Sequence, residues 1–195
     1  MRIKNKTDPK KGISLWATID TEGNKNPLLF IAQGKTRNCE KKQVGNYVCD
    51  SWVSHSISGW MNEEVWMEYL TKLRKLKNCS FALFVDQYGS HMTDKVIELA
   101  VTLEIDLVLI PKGCTDQYQP LDILIFGIIK SRGNRLYHFR EDNHDQAIQK
   151  KQSFEDIISS WDSITSYLHR IQITSVMMKN EVILNKRSHL MNLLD

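Results

Sequence analysis

No run of apolar residues in this chain approaches the length of a membrane span, and the basic N-terminus from Arg2 to Lys11 is not followed by the apolar core of a secretory signal. The expectation is a soluble, intracellular protein without a membrane partner. Cysteine is sparse: Cys39, Cys49, Cys79 and Cys114 lie far apart, with no CxxC pair and no His beside them. That spacing speaks against a zinc site or a disulfide framework and fits reduced thiols in a nuclear or cytosolic compartment. Excess charge is also lacking. A net charge of +3 permits a polyanionic partner without demanding one. No internal repeat or low-complexity segment stands out. What remains is the composition of a folded domain: 195 residues, 42% of them hydrophobic, arranged in many short apolar runs. One domain with a substantial core is the default for that length.

Residues 1–11 carry Arg2, Lys4, Lys6, Lys10 and Lys11 among polar neighbours and read as a flexible basic arm. Ile13 to Ile19 and Pro27 to Ala32 are two strands around the turn residues Asp20 to Lys25, a β-hairpin. Asp20 ends a strand, but at the mouth of a hairpin its usual work is turn chemistry. Residues 34–45 show no periodicity and read as a charged loop. Its Lys35, Arg37, Lys41 and Lys42 admit two readings, a DNA-facing loop or a solvated one. Residues 47–58 alternate irregularly and hold at most a short edge strand. Asn62, followed by Glu63 and Glu64 and then by Val65, Trp66, Tyr69, Leu70 and Leu73, is an N-cap and acidic first turn opening an amphipathic helix. Trp66 and Tyr69 are expected in the core. Lys72, Arg74, Lys75 and Lys77 at its far end suit the helix dipole, with DNA contact as a second use.

Two acids then stand out by their placement. Phe81 to Val85 is a short continuous apolar run with aromatic and β-branched members, expected as a strand buried on both faces of a parallel sheet. Asp86 follows it and admits two readings, an acid at the edge where ligands bind in open α/β sheets or an ordinary strand-ending loop residue. Thr93 caps a crossover helix through Val96, Ile97, Ala100 and Leu103, which leads to a second strand, Asp106 to Ile110, stopped by Pro111. Gln119-Pro120-Leu121-Asp122 then opens a helical run, placing Asp122 near the positive end of a helix. Two carboxylates at one sheet edge suit Mg²⁺ or Mn²⁺, hard cations that take oxygen ligands. His91, five residues after Asp86, reads either as a supporting group that orients the Asp86 turn or as a ligand.

Beyond Asp122, Lys130, Arg132, Arg135 and Arg140 extend from the same helix, the best placed nucleic-acid patch in the chain, with a solvated helix face as the alternative. Residues 141–152 are polar and read as a loop or linker. Phe154, Ile157, Ile158, Trp161 and Ile164 repeat at helical spacing, giving closing helices. Residues 176–195 form a weakly patterned tail.

The segments VDQYGSH (85–91) and QYQPLDILIFGIIKSR (117–132) resemble the second and third acidic motifs of the DDE superfamily of transposases, in the pogo, Tigger and Tc1/mariner group. The 35 residues between Asp86 and Asp122 are close to that family's characteristic interval. Gly59-Trp60-Met61 resembles its GWM segment and Trp161 to Thr165 its tail, so the likeness spans residues 12–175. It implies an α/β, ribonuclease-H-like fold, a mixed sheet flanked by helices. It implies as well that Asp86 and Asp122 are catalytic and metal-binding residues, with DNA as the partner, a nuclear location and no small-molecule cofactor besides Mg²⁺ or Mn²⁺.

In that family three acids hold two metal ions for in-line attack on a DNA phosphodiester. The first acid lies on a strand before the hairpin. Here only Asp8 precedes the hairpin, in polar surroundings unlike that motif. The expectation is therefore a partial catalytic domain at 12–175 with its first strand missing, inactive as given. The other reading is a noncatalytic nucleic-acid-binding or interaction module derived from a transposase.

Overall fold

The computed structural model describes residues 2–4, 12–45, 48, 50–86, 89–111, 119, 121, 125–127, 129, 131 and 146–164. The chain divides into two compact units, Met1–Thr18 with Pro27–Lys112, and Ile19–Asn26 with Gly113–Asp195. The hairpin turn falls in the second unit. The architecture is mixed α/β, sheets flanked by helices, consistent with the ribonuclease-H-like class.

In the first unit a four-stranded sheet runs in the order β1 (Arg2–Lys4), β2 (Gly12–Trp16), β3 (Leu29–Gln33), β4 (Trp52–Ser56). The first three are antiparallel, with Ser14 opposite Ile31, and β4 lies parallel to β3, with Ser54 also opposite Ile31. The hairpin is present as read. The basic arm, read as having nothing to bury, contributes the three residues of β1, which pair with β2. A second sheet pairs β5 (Phe81–Val85) in parallel with β6 (Ile105–Leu109), joined by α3 (Asp94–Thr102), the crossover unit expected from the sequence.

α2 (Glu63–Lys77) organises this unit. Its N-cap is Asn62, whose side-chain oxygen accepts from the Val65 amide at 2.9 Å, and Asn78 ends it in the left-handed conformation. Apolar residues at helical spacing bury Val65, Trp66, Tyr69, Leu70 and Leu73 against Leu29 and Ile31 of β3, Leu83 and Val85 of β5, Val96 and Ala100 of α3 and Ile105 of β6. One core therefore serves both sheets, at about 1.5–3 kcal/mol for each large side chain removed from water.

Three expectations are corrected. β5 is not buried on both faces: Leu83 and Val85 are buried, Ala82 is exposed and Phe81 and Phe84 are half-buried, so a continuous apolar run here behaves as a one-sided strand. Residues 34–45 are not wholly loop. They contain α1 (Asn38–Gln43), which buries nothing and is held by Gln43, whose side chain accepts from the Gln33 amide and donates to the Gln33 carbonyl, at 2.9 and 2.5 Å. The α2 terminus is also less available to DNA than its charges imply. Lys72 pairs with Glu68 at 2.7 Å, and Arg74 donates to the Leu103 carbonyl and to Glu104, both at 2.7 Å.

In the second unit, α4 (Gln146–Asp162) begins earlier than expected, since the Gln, Lys and Ala of the supposed linker are sound helix formers. Phe154, Ile157 and Trp161 are its buried stripe, and Ile164 just beyond its end is buried too. Ile125, Phe126 and Ile129 are buried as well. Lys25 donates to the carbonyls of Trp161, Asp162 and Ile164 at 2.8, 3.0 and 3.4 Å, closing the C-terminal end of α4. The expected tail at 176–195 lies outside the described residues.

Candidate functional site

Asp86 leaves the sheet at the carboxyl end of β5, as its position after Val85 requires. The side chain is 36% exposed, yet its Oδ1 is buried and makes no aligned hydrogen bond among the described residues. What lies closest to that oxygen is His91. Its Nδ1 is 3.0 Å from Oδ1 and 3.3 Å from the Asp86 carbonyl, toward which the better-directed hydrogen bond runs. The Asp86 carbonyl can only accept, so Nδ1 carries the proton and directs it to that carbonyl, with Oδ1 alongside.

The short 3-10 turn Gly89–His91 sets the imidazole in place, and the aromatic core receives it. His91 has no solvent exposure. Its ring lies 4.4 Å from that of Trp66 and 5.2 Å from that of Trp16, the latter edge-on at 81°. Trp66 in turn stacks on Tyr69 at 5.6 Å, and Trp16 meets Trp66 edge-on at 5.2 Å. Tyr69 shares a hydrogen bond with Thr18, and burial pushes its hydroxyl well above the ordinary phenol range. Residues from β2, α2 and the Gly89–His91 turn thus converge behind one carboxylate. In the sequence, Trp66 and Tyr69 at i and i+3 disclose a shared helix face, but nothing local links Trp16 or His91 to it. That assembly was missed.

Asp122, Lys130, Arg132 and Arg135 lie outside the described residues. Lys35 and Arg37 are exposed between β3 and the start of α1, with Lys41 and Lys42 exposed on α1 itself. Asp20, by contrast, is occupied as a turn residue. Its Oδ1 accepts from the amides of Glu22 and Asn24 at 3.1 and 2.8 Å, and its Oδ2 from the Asn24 side chain at 3.1 Å. Of the cysteines, Cys39 and Cys79 are described, and both are free thiols.

A partly exposed carboxylate at a strand end fits a hard divalent cation as a single oxygen ligand, in a coordination shell that water or phosphate would otherwise fill. Among the described residues no group of three His, Cys, Asp or Glu side chains gathers into a fuller site. No described helix is long and apolar enough to cross a membrane.

Neither a curated protein nor a solved structure matches the chain. A family does: the DDE superfamily endonuclease family matches residues 11–175, the span over which the hairpin, the α2 core, the β5–α3–β6 unit and α4 have just been described. With most of its length so matched, and with Asp86 set at the end of a parallel strand, the chain belongs to the DDE superfamily endonucleases.

Proposed function

We propose that residues 12–175 are a transposase-type catalytic domain of the pogo, Tigger and Tc1/mariner group, in which Asp86 and Asp122 ligate a divalent cation at a DNA backbone. Endonuclease domains of this superfamily act on DNA and generally use divalent metals. The observation that carries the reading is the half-exposed Asp86 carboxylate at the carboxyl end of β5, the edge at which α/β sheets hold their ligands. Mg²⁺ or Mn²⁺ bound there would neutralise phosphate charge and polarise the phosphodiester toward attack. The chain's own share is to present the carboxylates and to hold the DNA backbone with Lys35, Arg37, Lys130, Arg132 and Arg135. A nuclear location follows from that partner.

For these 195 residues by themselves we expect binding without cleavage. A two-metal displacement clamps the attacking and the leaving oxygen together, and two carboxylates plus water complete only a single weak site. The test mixes the purified chain with a labelled duplex in Mn²⁺ and follows binding and nicking across a salt series. Binding should weaken steeply with salt as counterion release loses its advantage, and Lys35→Ala or Arg37→Ala should each lower the slope by about one. Nicking that vanishes in Asp86→Ala would overturn the inactive reading of the isolated chain. Salt-dependent DNA binding without any Asp86-dependent Mn²⁺ binding would leave the noncatalytic module. Salt-insensitive binding, or none, would remove both.

A further inference from the structure

We infer that His91, packed against both Trp16 and Trp66, is a positioning residue that makes Asp86 a one-oxygen ligand: Oδ1 is held against the imidazole and Oδ2 is left to the cation. The inference rests on the reading of Asp86 as a cation ligand and adds how that ligand is aimed.

Three observations carry it. First, the two oxygens of Asp86 are unequal. Oδ1 is buried while the side chain as a whole is 36% exposed, so the exposed part excludes Oδ1. Second, the atom facing Oδ1 at 3.0 Å is a ring nitrogen that must bear a proton, because the Asp86 carbonyl at 3.3 Å is its other neighbour. A cation approaching Oδ1 would meet that N–H, so only Oδ2 is open to it. Third, the imidazole itself has little freedom to turn. It is wholly buried, with indole rings from two different elements 4.4 and 5.2 Å away. Fixing a ligand's rotamer before the metal arrives removes the entropy of ordering it, and a single oxygen suits Mg²⁺, whose small octahedral shell leaves little room for a bidentate carboxylate. His91 touches neither metal nor substrate in this arrangement. It acts through Asp86.

The experiment titrates the full chain with MnCl₂, reading free Mn²⁺ by its paramagnetic resonance signal, in parallel with near-ultraviolet circular dichroism to report the packing of the tryptophans. Asp86→Ala is the control for the site. His91→Phe keeps a ring in the aromatic box and deletes Nδ1. His91→Asn returns an amide N–H near the Nδ1 position, and His91→Gln carries its amide one bond further, away from it. The expected result is a loss of about tenfold in Mn²⁺ affinity for His91→Phe with its dichroism retained, substantial recovery in His91→Asn and none in His91→Gln. Wild-type affinity in His91→Phe, or equal affinity in the Asn and Gln variants, overturns the positioning role while leaving Asp86 as a ligand. The Asn and Gln pair decides the matter even where His91→Phe does not fold. Mn²⁺ binding that is unchanged in Asp86→Ala would instead remove the site reading, and the inference with it.

Discussion

Glu68 shows how a single carboxylate can be pulled in two directions. Burial against β4 would raise its pKa, but the Lys72 ammonium and the Ser54 hydroxyl donate to it, and the charges of Lys72 and Arg37 act in the same sense, so the group sits below the ordinary carboxylate range. A carboxyl depressed on folding stabilises the native state fully above its unfolded value of about 4.3 and loses that contribution as pH falls through the lower folded value. Urea unfolding of wild type and Glu68→Gln should therefore differ most near neutrality and converge in acid. With the side chain 40% exposed, solvent screening holds the difference to under about 1 kcal/mol. A gap that widens on acidification would mean that the hydrogen bonds from Ser54 and Lys72 do not govern this group.

At the scale of elements, the joint between β4 and α2 turns on Gly59. Its φ of +71° belongs to the left-handed region, and a Cβ there would stand 2.9 Å from the Cβ of Gln33 at the end of β3. The Gly59 carbonyl also accepts from the Ser14 hydroxyl of β2 at 2.5 Å, so one backbone position is fixed by two neighbouring strands. Gly59→Ala should cost about 1–3 kcal/mol in chemical denaturation, the conformational penalty and the contact adding. A loss below about 0.5 kcal/mol would show that the turn relaxes freely. The sequence disclosed the elements themselves where a local rule was strong: the Asn62 and Thr93 caps, the period of α2, the turn acid Asp20 and the apolar strands flanking α3. It misjudged them where no local rule applied. α1 buries no side chain, so it leaves no apolar period to read. β5 carries apolar residues at exposed and half-exposed positions, so its composition implies more cover than it has.

For the first unit taken whole, one core joins both sheets through α2, so the sheets should not unfold separately. Leu70, with no exposure, sits in that core. Leu70→Ala should cost about 2–5 kcal/mol and accelerate hydrogen exchange in β3 and in β5–β6 together. Faster exchange in one sheet alone would show two cores where the contacts indicate one. The same nonlocal character explains why the candidate site was only half legible. Asp86 announces itself by following a strand, but the residues that hold it come from β2, α2 and the turn at Gly89–His91, 75 positions apart in sequence from Trp16 to His91. Periodicity shows which residues face inward. It does not show which inward-facing rings will meet.

The placement of Trp16 and Trp66 against His91 gives the chain an optical gauge of its own chemistry. Indoles within about 5 Å of one another and of an imidazole couple their electronic transitions, so a small rotation of the imidazole changes their emission and their near-ultraviolet dichroism. A cation held by Oδ2 of Asp86 would draw on the carboxylate whose other oxygen faces that imidazole, and the tryptophans would record the event without a label. The signal belongs to the site only where it disappears with the Asp86 carboxylate, which separates it from the background of Trp52, Trp60 and Trp161.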